Sequence, residues 1–246
     1  MKFLLTLLYK IYSFCIALPL FIVCTALTAF TVIVAAFCGD PHVIGYYAPR
    51  LWSRITCILF LIRVRVEGRE QLRKDQSYVF LANHQGYFDI FLVYGYLGHN
   101  FKWMMKEYLR KMPLIGIACE KSRQIYVGDS RSAIQHAVVQ ARQTLQGGMS
   151  MVIFPEGTRT FTGEVGEFKR GAFMLASEIG LPIVPITIDG SFRVFSRKAR
   201  SVNFGTLTMQ IHAPIFAEYY GSRPTKVFMQ EVHDIIASPL SNIHTS

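Results

Sequence analysis

No charged residue occurs between Lys10 and Asp40, so 29 consecutive positions, 11–39, carry nothing that must stay in water. As a helix this run would be roughly 43 Å long at about 1.5 Å per residue. The hydrocarbon core of a bilayer is roughly 30 Å thick. The run can therefore span with tilt, or break near Pro19 and lie partly in the interface. The next apolar stretch, 43–62, sets Tyr46, Tyr47 and Trp52 among Arg50 and Arg54, a mixture suited to a membrane interface. A cleaved signal peptide fits poorly, because the run is too long and no small-x-small site precedes a polar stretch. A single span fits, and so does a helical hairpin that dips into the bilayer and returns. The hairpin is preferred: Lys2 and Lys10 precede the run and Arg50, Arg54, Arg63 and Arg65 follow it, which favours both ends on the cytoplasmic side. The stretch 40–50 reads as the turn between the two segments.

From residue 63 onward the pattern changes to short β-rich runs alternating with helical ones. Strands are predicted at 63–67, 78–82, 101–104, 124–127, 150–154, 183–188 and 206–211, and helices at 89–97, 106–111, 130–146, 169–179 and 225–237. Gly147-Gly148 ends one helix and Gly180 with Pro182 another, while the tail from 241 reads as frayed. The alternation predicts an α/β fold, a mixed central sheet flanked by helices, with an N-terminal helical membrane anchor. The expected division is 1–62 for the membrane-anchoring helices and 63–246 for the domain that carries the chemistry. Residues 1–62 hold +3 of the formal net charge of +10, so the domain that follows is basic too. Such a balance suits anionic partners. Zinc-finger spacing, an RNP-type aromatic pattern and an isolated basic helix are all missing, which argues against nucleic acid. The five cysteines, Cys15, Cys24, Cys38, Cys57 and Cys119, are odd in number and widely spaced, indicating neither a disulfide framework nor a metal site.

The chemistry concentrates just after the second predicted strand, at His84-Gln85-Gly86-Tyr87-Phe88-Asp89. Five residues apart on a regular helix, the His and Asp would diverge. They meet only if His84 lies in the loop and Asp89 in the first helical turn, where a carboxylate is favoured. Asp89 can then accept a hydrogen bond from one ring nitrogen and leave the other free to take a proton. Alone, such a pair also describes an ordinary turn with a capping aspartate. About 70 residues on, the strand 150–154 runs into Pro155-Glu156-Gly157-Thr158-Arg159. A glycine that permits close backbone approach, a hydroxyl and an arginine fork make an anion clamp, though a surface turn would read the same. No P-loop or dinucleotide fingerprint occurs.

Together, Asn83-His84 with Asp89 and Phe154-Pro155-Glu156-Gly157-Thr158-Arg159 resemble the two main motifs of the glycerolipid acyltransferase family, in particular bacterial 1-acyl-sn-glycerol-3-phosphate acyltransferases. The likeness covers roughly residues 63–215. Phe168-Lys169-Arg170-Gly171-Ala172-Phe173 and Leu181-Pro182-Ile183-Val184-Pro185-Ile186 resemble two further family segments. One block departs. Where the family often has a Phe-Ile-Asp-Arg-like sequence whose arginine helps recognise phosphate, this chain has Ile125-Tyr126-Val127-Gly128-Asp129, leaving Arg123 or Arg131 as replacements.

The resemblance implies transfer of an acyl group from acyl-CoA or acyl-carrier protein to the sn-2 hydroxyl of lysophosphatidate, giving phosphatidate without cofactor or metal. It implies His84 as general base, Asp89 as its orienter, and Arg159 as the phosphate contact in a pocket shaped by Glu156, Gly157 and Thr158, with Lys106 resembling a lysine that recurs between the motifs. The expected partners are these substrates and membrane lipids. The expected location is a membrane, the bacterial inner membrane, with the catalytic domain facing the cytoplasm. Other acceptors stay open: another lysolipid, an amino-acid-derived lyso-lipid, or water, as in a thioesterase or lipid hydrolase. The missing Gly-x-Ser-x-Gly elbow argues against a serine hydrolase. A catalytically silent membrane-binding protein would have no use for both motifs.

Overall fold

Seven strands form one sheet: β1 (Ile62–Glu67), β2 (Val79–Ala82), β3 (Phe101–Lys106), β4 (Ile125–Val127), β5 (Ser150–Ile153), β6 (Ile183–Asp189) and β7 (Gly205–Ile211), in the order β1-β7-β6-β2-β5-β3-β4. The structure, a computed structural model, describes residues 2–38, 41–128, 130–145 and 148–243. Strands β6, β2, β5, β3 and β4 are mutually parallel, while β7 pairs antiparallel with β6 and parallel with β1. The mixed sheet predicted from the alternation is therefore present, and each of its strands falls on a predicted run.

Around it lie α1 (Lys2–Tyr12), a π-helical turn (Ser13–Ala17), α2 (Leu18–Cys38), α3 (Pro41–Leu59), α4 (Phe88–Tyr96), α5 (Ile115–Lys121), α6 (Arg131–Thr144), α7 (Arg170–Ile179), α8 (Ser191–Phe195), α9 (Ala217–Tyr220) and α10 (Thr225–Ile243). Side chains alternate between two cores, as a strand's period of two requires. On β2, Phe80 and Ala82 point to one core with Phe88, Phe91 and Leu92 of α4. Val79 and Leu81 point to the other, with Phe173 of α7, Val138 of α6 and Val232 of α10. With both faces covered, β2, β5 and β6 are buried at every position and read as continuous apolar runs.

Three expectations need correction. The stretch 40–50 is helical from Pro41 on, because proline suits the first helical position, where its missing N–H costs nothing. The predicted helix at 106–111 is a 3-10 segment, Glu107–Lys111, with Lys106 closing β3 instead. The last helix runs past Pro239 to Ile243 rather than stopping at 237, and residues 244–246 lie outside the described residues.

Helices α1 and α2 form one 35-residue apolar rod from Phe3 to Phe37, whose most apolar 18-residue window has a mean hydropathy of 2.5. Its length and composition suffice to cross a membrane, and only 11% of its most apolar window is buried. The helix does not break near Pro19: a wide π turn just upstream makes room where the proline ring would clash with the carbonyl four residues back, and the rod continues. The rod is fastened to the rest. Tyr9 and Tyr12 donate from their hydroxyls to the carbonyls of Phe60 and Leu59, both at 2.9 Å. Phe21 stacks on Trp52, and Trp52 meets Phe91 of α4 edge-on at 4.9 Å between ring centroids.

Candidate active site

The parallel strands β2, β5 and β3 bring their carboxyl ends to one edge of the sheet, where open α/β sheets place their ligands. His84 follows β2, the Pro155–Arg159 turn follows β5, and Lys106 ends β3. Carrying the register of Trp103 with Val152 and Val152 with Phe80 forward by three residues sets Lys106 level with Pro155 and Asn83. Two strand spacings of about 4.8 Å place it roughly 10 Å to the side of β2.

His84 lies in the loop and Asp89 in the first turn of α4, as the spacing required. His84 Nδ1 is 2.7 Å from Asp89 Oδ2, and the same oxygen accepts the backbone N–H groups of Gln85 at 2.7 Å and Gly86 at 2.9 Å. Asp89 is fully buried, while the imidazole keeps 15% of its surface open. An acceptor-only carboxylate holding Nδ1 requires the tautomer with the proton on Nδ1, and leaves a lone pair on Nε2. The ring lies flat on Phe154, 3.9 Å between centroids and 6° between planes, and Phe154 stacks in turn on Trp103. Gly86 is held against α8: a Cβ there would lie 2.6 Å from both the carbonyl and the hydroxyl oxygen of Ser191.

Glu156 is buried, and both of its carboxylate oxygens are engaged. Oε1 accepts the backbone N–H of His84 at 2.6 Å and Oε2 that of Gly166 at 2.9 Å. Burial raises its pKa above the ordinary carboxyl value, against the lowering effect of those two N–H groups. Thr160 N–H donates to the His84 carbonyl at 2.9 Å, so the two motifs are laced together at the backbone. Gly157 has φ +69, and a Cβ on it would press on the Lys169 side chain at 3.0 Å, which explains the glycine. Thr158 Oγ1 accepts from Arg197 Nη1 at 3.0 Å. The Arg159 guanidinium lies 3.6 Å from the centre of the Tyr87 ring, inside the histidine loop, and has no ion pair among the described residues. All of the predicted residues thus gather at one sheet edge, but Glu156 serves the backbone of the histidine loop. Phe154, Tyr87 and Gly166 went unread as site residues. Phe154 opens one motif and Tyr87 lies inside the other, so position in the motifs was their signal; Gly166 has none.

Of the two replacements for the divergent block, Arg123 lies at the wrong end of the sheet. Two residues before Ile125, it stands level with Lys102, Met151 and Val79 in the strand register. That is five residues below His84, roughly 16 Å at about 3.3 Å per residue. Asp129 and the side chain of Arg131 lie outside the described residues.

Beside the histidine loop opens a cavity of about 270 Å³ walled by Phe14, Phe21, Phe60, Tyr87, Phe88 and Phe91, with Lys10 and Arg200 also on its lining. It runs between the N-terminal rod, α3 and α4.

A family model described as Acyltransferase matches residues 63–189. The chloroplastic 1-acyl-sn-glycerol-3-phosphate acyltransferase of Arabidopsis thaliana is 31% identical over 79% of this chain and 58% of its own length. An uncharacterised acyltransferase of Schizosaccharomyces pombe is 30% identical over 76% of this chain and 68% of its own. The chain spans about three fifths of the first curated relatives it matches. The crystal structure of the 1-acyl-sn-glycerophosphate acyltransferase PlsC from Thermotoga maritima superimposes with a TM-score of 0.80, covering 100% of this chain and 99% of that one at 23% identity, a shared fold. By the family match over half its length and by these relatives, the chain belongs to the acyltransferase family.

Proposed function

We propose that the chain transfers a fatty acyl group from an acyl thioester, acyl-CoA or acyl-carrier protein, to the sn-2 hydroxyl of 1-acyl-glycerol-3-phosphate, giving phosphatidate. The observation that carries this is the buried Asp89 holding His84 Nδ1 at 2.7 Å while Nε2 stays open, next to an arginine with no ion pair among the described residues. Nε2 takes the proton of the acceptor hydroxyl as its oxygen attacks the thioester carbon. The C–S bond then breaks and the imidazolium returns the proton to the leaving thiolate. Asp89 fixes the tautomer and stabilises the imidazolium without being protonated itself. Stacking on Phe154 keeps the ring from turning off this axis. A base so placed is worth about 10²–10⁴ in rate.

Arg159 takes the acceptor phosphate, with Thr158 and Gly157 shaping its approach and Lys106 assisting from the next strand end. Tyr87 beneath the guanidinium keeps its fork oriented. The aromatic cavity beside Tyr87 takes an acyl chain, and its wall from the apolar rod lets that chain enter from lipid. Residues 1–62 act as the anchor. The rod and α3 dip into the bilayer as a hairpin and set the sheet edge on the cytoplasmic face of the bacterial inner membrane.

The test supplies labelled acyl-CoA and lysophosphatidate to the purified full chain and to His84→Ala, and identifies the lipid product. Phosphatidate made by the wild type, and lost by about 10²–10⁴ in the variant, is expected. Free fatty acid as the sole product would make water the acceptor and sink the transferase reading.

A further inference from the structure

Of the two arginines that could replace the one missing from the divergent block, Arg123 lies roughly 16 Å below the site edge and the side chain of Arg131 lies outside the described residues. The loop after α8 brings another. We propose that Arg197 is a specificity-determining residue that binds the acceptor's phosphate together with Arg159. The inference rests on the proposed acyl transfer to lysophosphatidate.

Two contacts hold Arg197 in place. Its Nη1 donates to Thr158 Oγ1 at 3.0 Å, one residue from Arg159, and its guanidinium lies 4.5 Å from the centre of the Phe161 ring. Arg159 is held the same way, over Tyr87, and Tyr87 packs on Phe195 of α8 at 4.9 Å between ring centroids. Two guanidinium groups are thus propped on aromatic rings from the two sides of one turn. Neither has a carboxylate partner among the described residues. By contrast, Arg193, one turn earlier in the same segment, is neutralised by Asp189 at 2.7 Å. Two cations restrained on one turn with no carboxylate partner among the described residues favour an anion that takes a fork from each. A phosphomonoester has three terminal oxygens, enough to accept from both. A phosphodiester has two, and a neutral glycerol none, so the pair also ranks acceptors. With the second cation supplied from the α8 loop, the divergent block is no obstacle to a phosphorylated acceptor.

The experiment measures kcat and KM for lysophosphatidate and for 1-monoacylglycerol with wild type, Arg197→Ala, Arg197→Lys and Thr158→Val. For Arg197→Ala the preference for lysophosphatidate over monoacylglycerol is expected to fall about tenfold, through KM for lysophosphatidate, as loss of one charge-assisted contact at a partly wet site requires. Arg197→Lys is expected to recover part of the preference, and Thr158→Val to lose a smaller part in the same direction. Equal losses on both acceptors, or an unchanged preference in Arg197→Ala, would overturn the assignment while leaving acyl transfer to lysophosphatidate intact. A wild type that acylates monoacylglycerol but not lysophosphatidate would overturn the acceptor reading itself, and this inference with it.

Discussion

Glu156 lies in the middle of the Pro155–Arg159 turn, yet its oxygens hold the backbone N–H groups of His84 and Gly166. Its contribution to the site is the position of the histidine loop, and Glu156→Gln separates that from a role in phosphate binding. An amide keeps one acceptor and sets an NH2 group against the other N–H. A loss of about 2 kcal/mol is expected for the buried N–H so left without an acceptor, which lowers Tm by about 4–8 °C in a chain of this size. The preference for phosphorylated over neutral acceptors should stay that of the wild type; a shift in that preference would place Glu156 at the phosphate after all. The same carboxyl sets a pH dependence. Burial raises its folded-state pKa above the ordinary 4.5. The folded state therefore holds this proton more tightly than the unfolded chain does. The stability so gained is complete below the ordinary glutamate range and is lost as pH rises through the raised value. The Tm advantage of wild type over Glu156→Gln should shrink as pH rises from about 4.5, and thermal melts over that range check the sign.

At the scale of elements, Asn83 ties β2 to β6 just before the histidine. Its Nδ2 donates to the Ile188 carbonyl at 2.9 Å and its Oδ1 accepts the Ile188 N–H at 2.7 Å, so the side chain continues the ladder where β2 ends. Asn83→Ala leaves a buried N–H and a buried carbonyl unpaired, an expected loss of about 2–4 kcal/mol. Urea unfolding reads the loss, and a cost under about 1 kcal/mol would mean that water replaces the amide. The seven strands were legible because apolar runs of strand length alternate with helical ones, and the dyad because its spacing allows one geometry only. Helices α5, α8 and α9 were not, since seven, five and four residues are too few to show a helical period. The contacts of Glu156 were not legible for another reason. Its partners are backbone groups 72 and 10 residues away, and a backbone N–H leaves no mark in the sequence. Arg197 was passed over because its neighbours, Thr158 and Phe161, reach it only through the crossover from β6.

For the whole molecule, the proposed division at residue 62 is one of role and not of folding. The core on the α4 side of the sheet is built jointly: Ala17, Tyr46, Cys57 and Phe60 lie in it with Phe88, Phe91, Tyr94 and Phe101. Tyr46 packs edge-on against Phe101 of β3 at 6.0 Å, Phe60 against Phe88 at 5.8 Å and Trp52 against Phe91 at 4.9 Å, so α3 and the residue that follows it set aromatic rings on both α4 and β3. Removing residues 1–62 would leave Phe88, Phe91 and Tyr94 facing water. Rings of this size bury about 150–250 Å² each, and at about 25 cal/mol per Å² the loss exceeds the net stability of most domains. A fragment 63–246 is therefore expected to aggregate or to lack cooperative unfolding, even in detergent. The opposite change separates anchoring from folding. Phe30 is 62% exposed on the rod, so Phe30→Asp disturbs little packing of the folded protein while placing a charge in the proposed bilayer segment. That variant should melt like the wild type in detergent but partition less onto vesicles, and its turnover should fall with acceptor in vesicles while staying near normal with acceptor dispersed in detergent. A fragment 63–246 that folds cooperatively, or a Phe30→Asp variant that binds vesicles as the wild type does, would contradict the shared core or the anchoring role respectively.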